Sequence, residues 1–336
     1  MRKEKGDIRM EAALKRIWAR ELEEDLTRIN RALEDYLRVE GDLVAETGRF
    51  LLEAGGKRIR PSFVVLSSKL FSYDFDKVRP LAMAVELMHM ASLVHDDVVD
   101  ASLTRRGRPS VSARWGNEVA ISTGSFLFAK VMDLVLDLED PALFALFAKM
   151  CVQMTLGEIQ QIRVAYNVEQ SFRQYYYRIS RKTGLLVAMS CQTGAMVSGA
   201  TARETMLLRR FGHSLGIAFQ IVDDILDLTA DPRKLGKPCG GDIRQGIMTL
   251  PMIYAMESLP ASQRDRFAEI FCLRDKDEAL VAEALWLVKI SDGIQRAQEL
   301  ANRYTERAQN CLSCFPKTRH RKNLQDLAEF VGKRKF

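Results

Sequence analysis

Two groups of aspartates with the same spacing are the side chains of this sequence best suited to chemistry. Each group occupies positions i, i+1 and i+4 of an otherwise apolar segment. The six residues are Asp96, Asp97 and Asp100 in HDDVVD, and Asp223, Asp224 and Asp227 in VDDILD. Because an α-helix turns by about 100° per residue, positions i and i+4 lie on one face and position i+1 lies beside them. The spacing therefore predicts one carboxylate cluster on each of two helices.

The apolar neighbours of the aspartates make each cluster costly unless cations neutralise it. Residues such as Val94, Val98, Ile221 and Ile225 indicate that both helices are largely buried, and three carboxylates repel one another in such a place. Mg²⁺ binds one or two carboxylates and completes its shell with water and phosphate oxygens. One trio alone could be an exposed polar face or a helix cap. Two trios in apolar surroundings predict Mg²⁺ sites that serve a phosphorylated substrate.

Basic residues near the aspartates supply the other half of an anion site. The segment GGKRIRP, residues 55–61, has two glycines that let backbone N–H groups approach a ligand, three cations, and a proline suited to a first helical turn. Two arginines follow the first trio and a lysine follows the second. The six cations are Lys57, Arg58, Arg60, Arg105, Arg106 and Lys237. A basic patch alone is usually a solvated surface, but beside both trios these cations predict a site for more than one diphosphate.

The pattern around these motifs predicts helices almost everywhere. Apolar residues recur at spacings of three and four, strong helix formers dominate, and no segment alternates convincingly as a strand. Gly and Pro residues divide the chain into roughly a dozen helices. The breaks fall at 54–56, 79–80, 106–109, 140–141, 231–241, 259–260 and 315–317. Because none is long enough to be a linker, we expect a single all-α domain over residues 1–336, with helices around a central cavity and with 1–44 as its least defined helical segment.

The composition favours some classes of protein and disfavours others. With 47% apolar and 28% charged residues, the chain of 336 residues has a globular rather than a disordered profile. The charged N-terminus lacks a signal-peptide pattern and six scattered cysteines suit a reducing compartment, so we expect a cytoplasmic protein. The uncharged run 183–202 contains polar residues and three glycines. It is therefore interpreted as a buried helix, and we expect no membrane span.

A net charge of +6 permits nucleic acid, acidic lipid or phosphorylated small molecules as partners. Nucleic acid is not expected, because aromatic residues are not interleaved with the basic patches and the aspartates would repel phosphate. Zinc is not expected either, because the pair Cys311 and Cys314 has no second CxxC pair to complete a site.

Five motifs in order resemble the trans-isoprenyl diphosphate synthase family, from about residue 45 to the C-terminus. They are GGKRIRP, HMASLVHDDVVDASLTRRGRP, GEIQQ, KTG, and FQIVDDILDLTADPRKLGKPCGGDIRQGIMTLP. Within that family, ELMHMASLVHDDVVD and the ending LAEFVGKRKF are similar to component II of the bacterial heptaprenyl diphosphate synthases. The resemblance implies an all-α bundle around a deep cavity, of the isoprenoid synthase type.

The resemblance also implies a role for each motif residue. Asp96, Asp100 and Asp223 match Mg²⁺ ligands, with three ions per active site, and Asp97, Asp224 and Asp227 match residues that act around them. Lys57, Arg60, His89 and Arg106 match contacts to isopentenyl diphosphate, and Arg58 is grouped with these substrate-binding cations. Arg105, Lys182, Thr183, Gln220 and Lys237 match contacts to the allylic substrate, such as farnesyl diphosphate.

In the family mechanism, cations stabilise the departing diphosphate, so that the allylic C–O bond ionises to a carbocation. The double bond of isopentenyl diphosphate attacks this carbocation, and the released diphosphate takes up the proton. Small side chains at Ala91 and Ser92 and a flexible Met88 leave the path of the growing chain open along the helix before Asp96. One helical turn is about as long as one isoprene unit, and the open path lets elongation continue, so we expect a product of roughly 30 to 45 carbons. The resemblance favours heptaprenyl diphosphate for a quinone such as menaquinone.

Three departures from the family pattern concern substrate binding. Gly246 is followed by Ile247 where the family often has Lys, Ser125 replaces a common Asp, and no His occurs at 110–113. Because the aspartates are intact, activity is expected, and the missing groups suggest that it depends on a partner. We expect a dimer with a small component I subunit or with itself, and transfer of the product to membrane enzymes.

The alternatives are a homodimeric hexaprenyl, octaprenyl or solanesyl diphosphate synthase, a non-catalytic partner subunit, and a terpene cyclase. A cyclase does not need the second diphosphate site of GGKRIRP. A non-catalytic subunit would be expected to have lost aspartates.

Overall fold

The computed structural model describes residues 20–38, 43–229 and 239–332. Across these residues the chain forms sixteen α-helices, one π-helical turn and two strands of two residues each. The elements are α1 (Arg20–Tyr36), α2 (Leu43–Glu53), α3 (Ile59–Ser68), α4 (Phe75–Val99), β1 (Thr104–Arg105), β2 (Arg108–Pro109), α5 (Val111–Trp115), α6 (Asn117–Leu136), α7 (Pro141–Val164), α8 (Phe172–Ile179), the π turn (Ser180–Gly184), α9 (Leu185–Met196), α10 (Ala202–Thr229), α11 (Gly241–Arg244), α12 (Leu250–Ser258), α13 (Ala261–Cys272), α14 (Glu278–Ile290), α15 (Gly293–Cys311) and α16 (Arg319–Gly332). The all-α prediction is confirmed.

Two long helices position the aspartates. Helix α4 begins where the Asp74 carboxylate accepts a hydrogen bond from the Asp76 amide, and it ends at Asp100. Helix α4 packs against α3 and α6, while α10 packs against α9 and α15. Since Val99 is the last residue of α4 before its C-cap Asp100, and α10 ends at Thr229, both trios lie towards the C-terminal ends of their helices. The negative end of the helix dipole adds to the cost of carboxylates there.

The break predicted at Arg79-Pro80 is wrong, because α4 runs through Pro80 without ending. A proline inside a helix leaves the carbonyl four residues earlier without its amide partner. Here that carbonyl belongs to Asp76, and the side chains of Asp76 and Arg79 are exposed. Water can therefore satisfy the carbonyl near the start of the helix, and the buried remainder of α4 is undisturbed.

The prediction of no strand missed a small hairpin. Thr104 pairs with Pro109 and Arg105 pairs with Arg108 in an antiparallel β1–β2 ladder. Arg106 and Gly107 form its turn, with φ of 51° and 79°. Strands of two residues are too short to show an alternating pattern. The hairpin nevertheless matters, because it folds the arginines after the first trio back towards that trio.

Most of the run 183–202 forms the end of the π turn and α9, and residues 197–201 form the turn before α10. The prediction of a buried helix is confirmed for α9, where residues such as Leu186, Cys191 and Ala195 are buried. Among the described residues, α6 and α7 are the two helices with the length and apolar composition of a membrane span. Each packs on the bundle with one side and exposes apolar residues on the other.

Candidate active site

A cavity of about 390 Å³ lies between α4, the π turn, α10 and the segment that follows α11. Eleven of the residues predicted from sequence line it. They are Arg60, His89, Ser92, Asp96, Asp100, Arg105, Lys182, Thr183, Gln220, Asp223 and Asp224. The structure thus brings carboxylates of both trios and cations from three separate segments to one space.

The first trio does not form a cluster of three carboxylates. Asp96 and Asp100 face the cavity, whereas Asp97 is only 2% exposed and accepts a hydrogen bond of 2.9 Å from Nε of Arg105. A second bond joins Nη2 of Arg105 to the same oxygen. Asp97 therefore orients the arginine, and the prediction that all three carboxylates share one cluster is wrong here. Burial raises the pKa of Asp100, which marks a carboxylate in a dry environment.

The second trio is also divided, but here the third aspartate, not the second, is the one that does not line the cavity. Asp223 and Asp224 line the cavity, but Oδ2 of Asp227 accepts a hydrogen bond of 3.1 Å from the backbone amide of Asp242. The backbone carbonyl of Asp227 accepts another, of 2.8 Å, from the amide of Gly240. Asp227 therefore ties α10 to the residues just before and within α11. This is again a correction to the expected cluster, because the third carboxylate organises the chain instead of facing the cavity.

Lys182 lies in an acidic network that the sequence analysis did not assign. Its Nζ lies 2.6 Å from Oε2 of Glu158 and 3.6 Å from Oδ1 of Asp96, and it donates to Oε1 of Gln161 at 3.1 Å. Burial, followed by the Asp96 charge, raises the pKa of Glu158. Burial alone would lower the pKa of Lys182, but the charges of Asp96 and Glu158 outweigh burial, and the pKa of Lys182 is raised. The signal for Glu158 and Gln161 was the GEIQQ motif, whose positions 158 and 161 share one face of α7.

The basic side of the cavity contains Arg60 and His89. Burial lowers the pKa of Arg60 to about 10. It also lowers the pKa of His89 well below its usual value, and the charges of Arg60 and Arg106 add to this effect. His89 is therefore neutral at neutral pH and can donate one hydrogen bond. Nε of Arg60 and Oγ1 of Thr249 are buried and have no hydrogen-bond partner among the described residues. Since both residues line the cavity, these unsatisfied atoms fit an anionic, oxygen-rich ligand.

Arg58 does not line the cavity, which corrects its grouping with the substrate-binding cations. Its Nη1 donates to Oε1 of Glu86 at 2.8 Å and its Nε donates to Oδ1 of Asn30 at 2.6 Å. The pair is buried, with 9% of the Arg58 side chain and 3% of the Glu86 side chain exposed. Arg58 adopts φ of 47°. It therefore anchors the loop that carries Lys57 and leads into α3, whose first turn carries Arg60.

Gly56 has a use beyond the predicted approach of backbone N–H groups to a ligand, which stays a prediction. A Cβ at Gly56 would lie 2.7 Å from Nη1 of Arg106, and its φ is +155°. The glycine thus gives room to an arginine side chain. Lys57, on the same loop, is half-buried. Lys237 lies outside the described residues, and the roles predicted for both lysines stay predictions.

The carboxylates that face the cavity suit a hard cation, but they do not form a complete metal-binding site by themselves. Within the described ranges, no three His, Cys, Asp or Glu side chains are close enough to hold a metal ion by themselves. The donors that face the cavity, Asp96, Asp100 and Asp223, are all oxygen ligands. Such a set suits Mg²⁺ that takes its remaining ligands from water and phosphate. The donor chemistry therefore fits the predicted ion.

A second cavity of about 120 Å³ adjoins the first, because Ser92, Asp96 and Lys182 border both. Phe128 and Met154 give it an apolar wall. Oγ of Ser92 donates to the backbone carbonyl of His89 at 2.8 Å. The other two residues predicted to affect chain length, Met88 and Ala91, have no exposed surface and belong to the core. Their effect on chain length stays a prediction.

The three departures from the family pattern have clear positions. Ile247 lines the main cavity, so an apolar side chain occupies a place where a cation is often expected. Ser125 is exposed on α6. Ser110 caps α5, where its Oγ accepts a hydrogen bond of 3.1 Å from the Ala113 amide.

The sequence model of the polyprenyl synthetase family matches residues 42–288. The chain belongs to this family, and it is a prenyltransferase.

The chain is 40% identical to the heptaprenyl diphosphate synthase component 2 of Bacillus subtilis, over 94% of this chain and 89% of that protein. It is 41% identical to the protein of that name from Geobacillus stearothermophilus, over 94% and 97%. Among solved structures, the polyprenyl synthase of Caulobacter crescentus, complexed with calcium and isoprenyl diphosphate, matches with a TM-score of 0.91 and 31% identity, over 96% of this chain and 98% of that chain.

Proposed function

We propose that the chain elongates an allylic diphosphate with isopentenyl diphosphate, in a Mg²⁺-dependent reaction, to heptaprenyl diphosphate for a quinone side chain such as that of menaquinone. The observation that carries the proposal is that carboxylates of both trios and the cations Arg60, Arg105 and Lys182 line one cavity. The identity of about 40% to two proteins named heptaprenyl diphosphate synthase component 2 supports the product.

The residues of the cavity support a division of labour. Asp96, Asp100 and Asp223 would hold Mg²⁺, which when bound would supply positive charge that neutralises a diphosphate. The chain's own cations, Arg60 above all, bind the second diphosphate directly. Neutral His89 donates a hydrogen bond to this anion without adding charge.

The reacting carbons need a dry environment, because water would trap a carbocation. Leu93, Ile179 and Phe219 line the cavity and exclude water. Thr183 and Gln220 place polar oxygens near the reacting carbons, and these oxygens stabilise positive charge. The double bond of isopentenyl diphosphate then forms the new C–C bond, and the released diphosphate accepts the proton.

An exposed apolar stripe supports a protein partner. On α7, Val152, Leu156, Ile159 and Ile162 follow a helical spacing, and three of them are more than half exposed. Ile121 of α6 is also exposed. A stripe of this kind is typical of an interface. We propose that a separate small subunit covers it, as the name component 2 of the relatives suggests, and that the complex is cytoplasmic and transfers its product to membrane enzymes.

The test is incorporation of radiolabelled isopentenyl diphosphate with farnesyl diphosphate as primer, with and without Mg²⁺. The chain is assayed alone and with the candidate small subunit. We expect Mg²⁺-dependent heptaprenyl product, and more of it with the subunit. If neither condition yields a Mg²⁺-dependent prenyl product, the proposal is refuted. Full activity of the single chain, unchanged by the subunit, would instead indicate a homodimer.

A further inference from the structure

A chain of three hydrogen bonds runs from a fully buried phenol to the cavity. The hydroxyl of Tyr175 donates to Oδ2 of Asp224 at 2.7 Å. Nε2 of Gln220 donates to Oδ1 of the same carboxylate at 2.9 Å. Oγ1 of Thr183 donates to Oε1 of Gln220 at 2.8 Å. Asp224, Gln220 and Thr183 line the cavity, and Tyr175 lies behind them on α8 with no exposed surface.

The direction of these bonds is determined at Asp224. An amide group can present either its oxygen or its nitrogen to a neighbour, but the oxygens of an ionised carboxylate only accept, and the hydrogen bonds from Tyr175 and Gln220 favour the ionised form of Asp224. The Gln220 amide must therefore turn its NH₂ group to Asp224 and its oxygen to Thr183. The Thr183 hydroxyl then gives its single proton to Gln220. Its lone pairs are left for the cavity, where they can face positive charge.

Tyr175 determines how Asp224 is held. By donating to Oδ2, the phenol fixes the rotation of the carboxylate and keeps Oδ1 directed at Gln220. Tyr175 itself is held in place, because the guanidinium carbon of Arg178 lies 5.6 Å from its ring centroid and Nη2 of Arg178 donates to the carbonyl of Met248 at 2.7 Å. Without the phenol, this buried carboxylate loses one donor and is restrained less in its rotation, because the bond from Gln220 holds a single oxygen.

We propose that Tyr175 is a positioning residue for prenyl transfer: through Asp224 it fixes the Gln220 amide, and so determines which side of the Thr183 hydroxyl faces the reacting allylic carbons. This inference rests on the proposed function. Because the positive charge develops only as the C–O bond breaks, the effect belongs to the transition state. Removal of the phenol oxygen should therefore lower kcat and leave KM for both diphosphates nearly unchanged.

The test is a double-substitution cycle on the full-length chain with its partner subunit. Tyr175→Phe keeps the buried ring and removes only the oxygen. Tyr177→Phe is the matched control, since it removes the same atom from the same helix, from a ring that stacks with Arg181. We expect kcat to fall about tenfold for Tyr175→Phe, with KM changed less than about twofold. In a Gln220→Met background, the same substitution should change kcat by less than about twofold, because the residue through which it acts is absent.

The outcomes separate this inference from the proposed function. An inactive wild-type complex would refute both. An active wild type with Tyr175→Phe equal to Tyr177→Phe would refute the positioning role alone. An equal loss of kcat in both backgrounds would mean that Tyr175 acts independently of Gln220, and the inference would be wrong. Thermal unfolding of each variant is measured in parallel, so that a loss of folded protein is not counted as a loss of kcat.

Discussion

Replacing Glu86 by Leu should destabilise the protein far more than loss of an ordinary ion pair. Glu86 and Arg58 are bonded at 2.8 Å with 3% and 9% of their side chains exposed. Glu86→Leu leaves the guanidinium buried, with Asn30 and the Leu52 carbonyl as its remaining acceptors among the described residues. Removal of one partner of a buried pair costs about 3 to 5 kcal/mol, so we expect a loss of this size.

The matched control is Glu257→Leu. Glu257 pairs with Arg296 at 2.6 Å, but 54% and 37% of the two side chains are exposed. Exposed pairs contribute about 0 to 1 kcal/mol, and this variant should unfold almost like the wild type. The double variant Arg58→Met/Glu86→Leu removes both buried charges and should recover stability to within about 1 kcal/mol of the wild type.

Urea unfolding followed by far-UV circular dichroism measures these differences, with the free energies compared at a common slope. If Glu86→Leu loses less than about 1 kcal/mol, or if the double variant is no more stable than Glu86→Leu, the buried pair does not anchor the loop. Because this loop leads directly into the first turn of α3, which carries Arg60, the single variant should also raise KM for isopentenyl diphosphate.

Three further predictions concern the cavity. Asp96→Ala or Asp223→Ala should lower Mg²⁺-dependent turnover by about 100-fold in a steady-state assay, because each leaves the ions short of a carboxylate. Ser92→Phe should shorten the product to about 15 to 20 carbons by chromatography, because the ring fills the space one helical turn from the aspartates; Ala91→Phe should do the same but also destabilise, since Ala91 is fully buried. His89 has a lowered pKa in the folded state, so below about pH 6.5 the unfolded chain binds a proton that the folded chain does not. The free energy of unfolding therefore decreases as the pH is lowered. His89→Asn should show a smaller loss of urea midpoint between about pH 6.5 and 5 than the wild type.

Each of these predictions has an outcome that contradicts it. For the aspartate prediction the control is Asp137→Ala, at an exposed aspartate of the α6–α7 connection. If Asp96→Ala turns over as fast as this control, Asp96 has no role in ion binding. An unchanged product distribution in Ser92→Phe would mean that the chain does not grow along this face of α4. Parallel pH curves for wild type and His89→Asn would show that His89 is not kept neutral by the fold.

Local spacing predicted which helices carry the site, but not how each carboxylate is used. Asp96 and Asp97 are adjacent in sequence, yet one faces the cavity and the other holds Arg105. That difference depends on the β1–β2 hairpin, whose strands are too short for any periodic signal. Periodicity within a helix therefore locates a group of side chains, and the partners that arrive from elsewhere decide which of them stay available.

Partners distant in sequence explain the other differences. Arg58 was grouped with the substrate-binding cations because it stands between Lys57 and Arg60, but its partner Glu86 lies on another helix. Tyr175 had no motif to mark it, and it is separated from Asp224 by 49 residues. A single sequence contains no information on such pairs, since each residue has an ordinary local environment.

The π turn Ser180–Gly184 changes the rotational register of α9 relative to α8. A π turn accommodates one residue more than an α-helical turn at nearly the same length, so α8 and α9 are continuous in direction but differ in rotational register. Deleting one residue here would restore a regular α-helix and rotate α8 by about 100° relative to α9. The face of α8 that carries Tyr175 would leave the bundle, and the close approach of Gly216 to Gly184, where a Cβ would lie 2.8 Å from a Cα, would be lost or shifted. Chimaeras that join the N-terminal half of this chain to the C-terminal half of a relative must therefore keep all five residues of the turn.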